Sequence, residues 1–98
     1  MGQSNIKDKL RSEKNDIKRR ERVICREISI MEHELGQLER KLKREVRQNN
    51  IDNARYVAKN YTMVKSNIKK LHNIKNQISS LVLQMQLMGS QQIGRAHV

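Results

Sequence analysis

The chain has no proline, phenylalanine or tryptophan, and its only aromatic side chains are two tyrosines. That scarcity of bulky side chains excludes a thick globular core or a β-sandwich, whose layers large apolar groups must fill. Cys25 stands alone, which excludes a disulfide framework and a cysteine metal cluster and suits a reducing compartment. No run approaches the roughly 20 apolar residues that a membrane span needs, and the N-terminus has no apolar signal-peptide core. Acidic residues also run out, since none follows Asp52. The expectation is a soluble, intracellular, all-helical chain. Charged residues at 32%, interspersed with Ile, Leu, Met and Gln, are the composition of long helices and coiled coils. A length of 98 residues is one domain or a piece of one.

The apolar periodicity is that of a seam. Ile24, Ile28, Met31, Leu35, Leu38 and Leu42 alternate steps of four and three, and Val46 extends them with one extra residue. Ile17 and Leu10 continue the stripe upstream at seven-residue steps, with polar residues between. Beyond the Asn pair, Ala54, Val57, Tyr61, Val64, Ile68, Leu71, Ile74, Ile78, Leu81, Met85 and Met88 repeat the pattern. One narrow stripe per helix is coiled-coil geometry. Gly36 within the first helix costs about 1 kcal/mol against Ala and is tolerated.

Between the stripes lies "RQNNID", residues 47–52, a break with neither Gly nor Pro. Asp52 is a good N-cap for a second helix. Ile51 before it and Tyr56 after it then have the spacing of a hydrophobic staple. Asn49 or Asn50 can adopt the left-handed conformation that ends the first helix. A single helix running through Asn-Asn is the alternative, but cap, staple and phase break coincide. The expected fold is therefore all-α, a long antiparallel, coiled-coil-like two-helix hairpin. Its first helix covers about residues 5–48, its turn 48–51 and its second helix about 52–88.

The hairpin leaves apolar surface over. Val82, Leu83 and Leu87 lie off the second stripe, as Val23 and Ile30 do off the first. They are the expected assembly surface, for another helix of the same protein or a neighbouring subunit. Charge adds a second hint, because 21 Lys and Arg against 10 Asp and Glu give a net charge of +11. Such an imbalance implies a polyanionic partner. Lys14, Lys18, Arg22 and Arg26 recur at spacings of four, with Arg19 beside them, and form the expected membrane-binding set.

The stretch "RKLKREVRQNNIDNARYVAKNYTMVKSNIKKLHNIKNQISSLVLQMQLM" resembles the first two helices of the ESCRT-III subunits, the charged multivesicular body protein family. A basic helix, a short polar turn, an Asp/Ala-containing start, an "AK" and a basic second helix reaching a Ser-Val/Leu-rich stretch carry the likeness over roughly residues 17–91. "ERVICREISIMEHEL" is similar to the start of subunits 2 and 3 of that family. The resemblance implies a subunit of a homo- or hetero-polymer with other ESCRT-III subunits. Such a subunit binds acidic membrane through its basic hairpin, in endosomal sorting, multivesicular body formation and membrane scission. It further implies a cytoplasmic protein, peripheral on the endosomal membrane, with an acidic C-terminal half that restrains assembly. An AAA ATPase would be recruited only through that missing region.

Three features depart from the family. The acidic half is absent, which would account for the charge imbalance. The start, "MGQSNIKDKL", lacks the bulky apolar residues that members often insert into membrane, and Ile6 occupies the position where myristoylation wants Ser or Thr. The ending "IGRAHV", residues 93–98, matches a peptide encoded by a common sequencing-adapter oligonucleotide in one frame. Residues 92–98 are therefore expected to be a non-native tail, with the native sequence stopping near Gln91.

No catalytic constellation is legible. His33 and His72 are solitary on helices, His97 lies in the doubtful tail, and Cys25 has no catalytic companion. The expectation is a non-enzyme with no cofactor, no metal and no nucleic-acid partner. Two rivals remain. "NDIKRRERVICREISIMEHEL" superficially resembles a basic region feeding a leucine zipper, although Asp16, Glu21 and Glu27 interrupt its basic face. The other rival is a plain cytosolic coiled-coil tether.

Overall fold

The computed structural model describes the backbone of residues 2–96 and the side chains of residues 6–87. It contains two α-helices of 46 residues each, α1 (Gly2–Arg47) and α2 (Ile51–Ala96). The fold is an all-α, coiled-coil-like two-helix hairpin. It divides into a turn-proximal unit, Cys25–Asn73, and a terminal unit formed by residues 1–24 with 74–98.

The turn-proximal unit is organised by the chain reversal. Asn49 has φ of 60°, the left-handed conformation that a short polar side chain tolerates better than most. The Asn49 amide donates to the Val46 carbonyl at 3.1 Å, and the Asn50 amide donates to the Glu45 carbonyl at 2.9 Å. These two bonds make a Schellman cap, which satisfies carbonyls orphaned at the helix end. Asn50 then opens α2, because its carbonyl accepts from the Ala54 amide at 2.9 Å. The N-cap is thus Asn50, and the assignment of that role to Asp52 is corrected. With Ile51 already helical, Asp52 sits in the first turn, where its charge favours the positive end of the helix dipole. The staple is corrected with it, since a cap at Asn50 puts Ile51 and Tyr56 out of staple register, and both are exposed.

A polar cluster replaces the apolar contact usual in such a cap. The Asn50 side chain donates to the Glu45 carboxylate at 2.9 Å and to Gln48 Oε1 at 3.4 Å. Glu45 is held below the ordinary carboxylate range, first by the Asn50 hydrogen bond, then by Asn53, and further by the charges of Lys41 and Arg44. Glu45, half-buried at the end of the seam with its carboxylate open to solvent, therefore ties the last turn of α1 to the first turn of α2.

Behind the turn, each helix keeps a strict alternation of three and four. In α1 the inward positions are Ile28, Met31, Leu35, Leu38, Leu42 and Glu45. Glu45, not Val46, continues the stripe, and Val46 is exposed. In α2 they are Ala54, Val57, Tyr61, Val64, Ile68 and Leu71. Val57 is 1% exposed, and Ile28, Ala54 and Ile68 are also buried. Thr62 donates its hydroxyl to the Ala58 carbonyl one turn back at 3.0 Å, a local bond that leaves its own helix intact. A Cβ at Gly36 would meet only the flexible Arg40 side chain at 3.9 Å, so no close helix approach demands the glycine.

In the terminal unit the inward positions are Lys14, Ile17, Glu21 and Ile24 on α1, and Lys75, Ile78, Val82 and Met85 on α2. Val82 is buried at 9% exposure, while Ile74 and Leu81 are exposed. This corrects the sequence reading, which put Ile74 and Leu81 in the seam and Val82 outside it. The reason is phase. Taking Ile68, Leu71 and Ile74 as successive seam residues requires two steps of three, which swing the stripe away from its partner. Stepping by four to Lys75 keeps the average of 3.5 that a supercoiled seam needs. Met88 and the side chains of the 92–98 tail lie outside the described residues, although the α2 backbone continues to Ala96.

Two outcomes test the turn. Asn49→Ala is expected to cost about 1–2 kcal/mol, because alanine resists the left-handed conformation, while Asn49→Gly is expected to be close to neutral. Equal denaturation midpoints for the two variants would overturn the assignment. The lowered Glu45 pKa gives stabilisation that is complete above the unfolded-state value and lost as pH falls through the folded-state value. Protection factors of the amides at residues 50–54, taken against the intrinsic exchange rate at each pH, should therefore fall on acidification from about pH 5 to about pH 3. Glu45→Gln should remove that pH-dependence.

Candidate functional site

Of the five basic residues proposed from sequence, four lie on α1 in the terminal unit. Lys18, Arg19 and Arg22 are exposed, whereas Lys14 is half-buried at a seam position. Lys14 therefore reaches solvent only by running its stem along apolar neighbours. Arg26 is exposed and belongs to the turn-proximal unit. The structure thus groups Lys18, Arg19 and Arg22 within little more than one turn of one helix. Steps of four also wind away from a seam of period 3.5, so the spacing places Lys14 at the seam and turns each later residue further outward.

Carboxylates neutralise little of this set. Arg19 approaches Asp16 at 3.9 Å, with both side chains mostly exposed, a pairing worth a fraction of a kcal/mol. Glu21 turns inward and accepts from the Ser79 hydroxyl at 3.2 Å across the helix pair. The acid that interrupts "KRRER" in sequence therefore points away from the cations. Asp16, Arg19, Arg20, Val23, Ile24 and Ile78 line a shallow groove of about 460 Å³. Arg20 and Val23 escaped the sequence reading as a pair. Val23 was legible as an off-stripe apolar residue, but nothing in the one-dimensional pattern linked it to Arg20.

The proposed assembly residues separate. Val82 is in the seam, while Leu83 and Leu87 are 56% and 52% exposed. Successive helical residues are about 100° apart, so Leu81 and Leu83 fall on opposite flanks of Val82. In the terminal unit, the exposed large apolar side chains of α2 among the described residues therefore form two lines, Ile74 with Leu81 and Leu83 with Leu87.

In the turn-proximal unit, His72 Nε2 lies 3.6 Å from Glu32 across the helix pair, and His33 is 3.4 Å from Gln37 on its own helix. Cys25 is half-buried. Among the described residues, no three His, Cys, Asp or Glu side chains gather as a metal site, and no helix is long and apolar enough to cross a membrane. No family model, no curated protein and no solved structure matches the chain.

Burial assigns different outcomes to neighbouring substitutions. Val82→Ser removes buried apolar atoms and places a hydroxyl in the seam, and is expected to cost about 1–3 kcal/mol. The double change Leu83→Ser and Leu87→Ser is expected to shift the unfolding free energy by only about 0.5 kcal/mol per site. Circular dichroism melts of the two variants read the difference directly, and reversed rankings would overturn the seam register.

Proposed function

We propose that the chain is the basic helical hairpin of an ESCRT-III-type membrane-remodelling subunit, one that binds acidic lipid and assembles with other subunits. The observation that carries this reading is the exposure of Lys18, Arg19 and Arg22 beside an inward-turned Glu21. Three cations on little more than one helical turn, with Asp16 as the one carboxylate ion-paired to them among the described residues, make a predominantly basic surface.

Near an anionic leaflet each such cation contributes about 1 kcal/mol, so the three supply roughly 3 kcal/mol as an upper bound. One copy then binds weakly, and strong attachment requires a polymer that presents many copies at once. The two exposed apolar lines of α2, Ile74 with Leu81 and Leu83 with Leu87, suit contacts between such copies or with sister subunits. In this reading the protein works on the cytosolic face of the endosomal membrane in multivesicular body formation and scission. An AAA ATPase would engage only a region outside this sequence.

Charge-driven attachment weakens with salt, because the Debye length shrinks from about 10 Å at 0.1 M to about 3 Å at 1 M. The test is co-sedimentation with acidic and neutral vesicles across a salt series. Wild-type protein is expected on acidic vesicles only. Reversal of Lys18, Arg19 and Arg22 to Glu should release it while leaving helicity intact, because none of the three is in the seam. Equal binding to neutral vesicles, or no loss in the reversed variant, would sink the membrane reading in favour of a tether. Retention on duplex DNA but not on vesicles would instead point to a nucleic-acid-binding coiled coil.

A further inference from the structure

Residues 74–87 of α2 carry more apolar surface than the seam uses. Ile74, Leu81, Leu83 and Leu87 are all exposed. Two residues along a helix turn a side chain by about 200°, so Leu81 and Leu83 point nearly opposite ways. Ile78, Val82 and Met85 stand in the inward sector between them. The apolar side chains thus spread well beyond the stripe of roughly 100° that one packing face requires.

Charge has its own pattern here. No carboxylate follows Asp52, and Lys69, Lys70 and Lys75 lead into the segment. None of the three enters an ion pair among the described residues. The opposing arm of α1 holds the segment loosely. Among the described residues Val82 is the one buried side chain of the terminal unit, and Lys14 and Glu21 occupy inward positions across from it. Opening such a segment costs less than unfolding the whole molecule.

Together these features select a partner. A flat neighbour, whether a bilayer surface or one helix, covers one side of α2 and leaves the other line in water. A clasp with two apolar lobes covers both. Steps of four and three, from Ile74 through Ile78 to Leu81, are the anchor spacing of helices that lie in hydrophobic grooves. An acid-free helix led by lysines complements a clasp that is itself acidic. Calcium-sensing EF-hand proteins have this chemistry, because the ion opens their helix pairs and exposes a methionine-rich groove. Methionine in turn adapts to irregular sets of anchors.

We propose that residues 69–87 of α2 are a docking helix for an acidic, two-lobed calcium sensor of the EF-hand type. One lobe takes Ile74 and Leu81, and the other takes Leu83 and Leu87. Closure of the clasp displaces the α1 arm, residues 14–24, from Ile78, Val82 and Met85. Docking needs no membrane, so it stands or falls apart from the reading above.

The probe is calmodulin, titrated calorimetrically into the full chain with calcium or with a calcium chelator. One-to-one binding is expected with calcium, weakened by roughly a hundredfold in chelator. Leu81→Ser combined with Leu83→Ser removes one anchor from each lobe and should weaken the complex by roughly a hundredfold, with helicity retained by circular dichroism. Lys69→Glu combined with Lys70→Glu should weaken it by roughly tenfold while leaving both apolar lines in place. Amide protection over residues 14–24 should fall on binding. Absence of a calcium-dependent complex overturns the proposal. So does equal binding in chelator, or to parvalbumin, a buffer EF-hand protein that barely opens with calcium, because charge alone would then explain it. Retained protection over residues 14–24 overturns the displacement of α1. Leucine substitutions that disturb only self-association, or only attachment to phosphatidylserine vesicles, give the lines to a second copy or to lipid and likewise overturn the proposal.

Discussion

Asn49 takes the chain through a left-handed conformation for a single residue, and the register of both heptad stripes is counted from there. With Gln48, Asn49 and Asn50 as the whole connection, little freedom remains in how α2 leaves α1. The Schellman bonds fix the exit of the first helix, and the Asn50 carbonyl fixes the entry of the second. Glu45 holds the two ends together from the side, receiving the Asn50 side chain where a hydrophobic contact is usual. The reversal is polar because the seam itself ends in a carboxylate at that level.

A seam between two helices buries little, and this one is thin even by that standard. Among the described residues Val57 alone is essentially sealed from water, and most other seam positions are half-exposed. Lys14, Glu21 and Lys75 occupy inward positions in the terminal unit, so its seam is more polar than that of the turn-proximal unit. Isolated helical pairs of this kind are marginal in water, because packing and not propensity stabilises long helices. Surfaces that bring in neighbours therefore matter to such a chain. The exposed pairs Ile74 with Leu81 and Leu83 with Leu87 are the apolar candidates, and the acid-free side of α2 is the charged one.

The existence of two helices, the position of the break and the left-handed Asn could be read from residues 41–71, because periodicity and turn chemistry agree there. The same reasoning misplaced the cap by two residues. Asp52 and Asn50 are both good caps, and only the hydrogen bond to Asn50 separates them. It also misplaced the seam beyond Leu71, where Ile74 and Leu81 offered the larger side chains but broke the phase. Lys75 in the seam runs against composition, and a pattern built on apolar residues passes over it. The basic cluster around Arg19 was legible as charge, but the inward turn of Glu21 was not, because it depends on Ser79, which lies 58 residues away in sequence.

The three-residue reversal also governs what lengths the chain can tolerate. Adding one residue to a helix end rotates everything beyond it by about 100°. One residue inserted into the first turn of α2 would therefore carry Val57, Ile68 and Val82 out of the seam together and turn Tyr56, Met63 and Lys70 toward it. Seven residues, by contrast, return the stripe nearly to its starting angle. Viable length variants of this hairpin should consequently add or lose material in whole heptads, in both arms at once, while the junction at 48–50 stays at constant length.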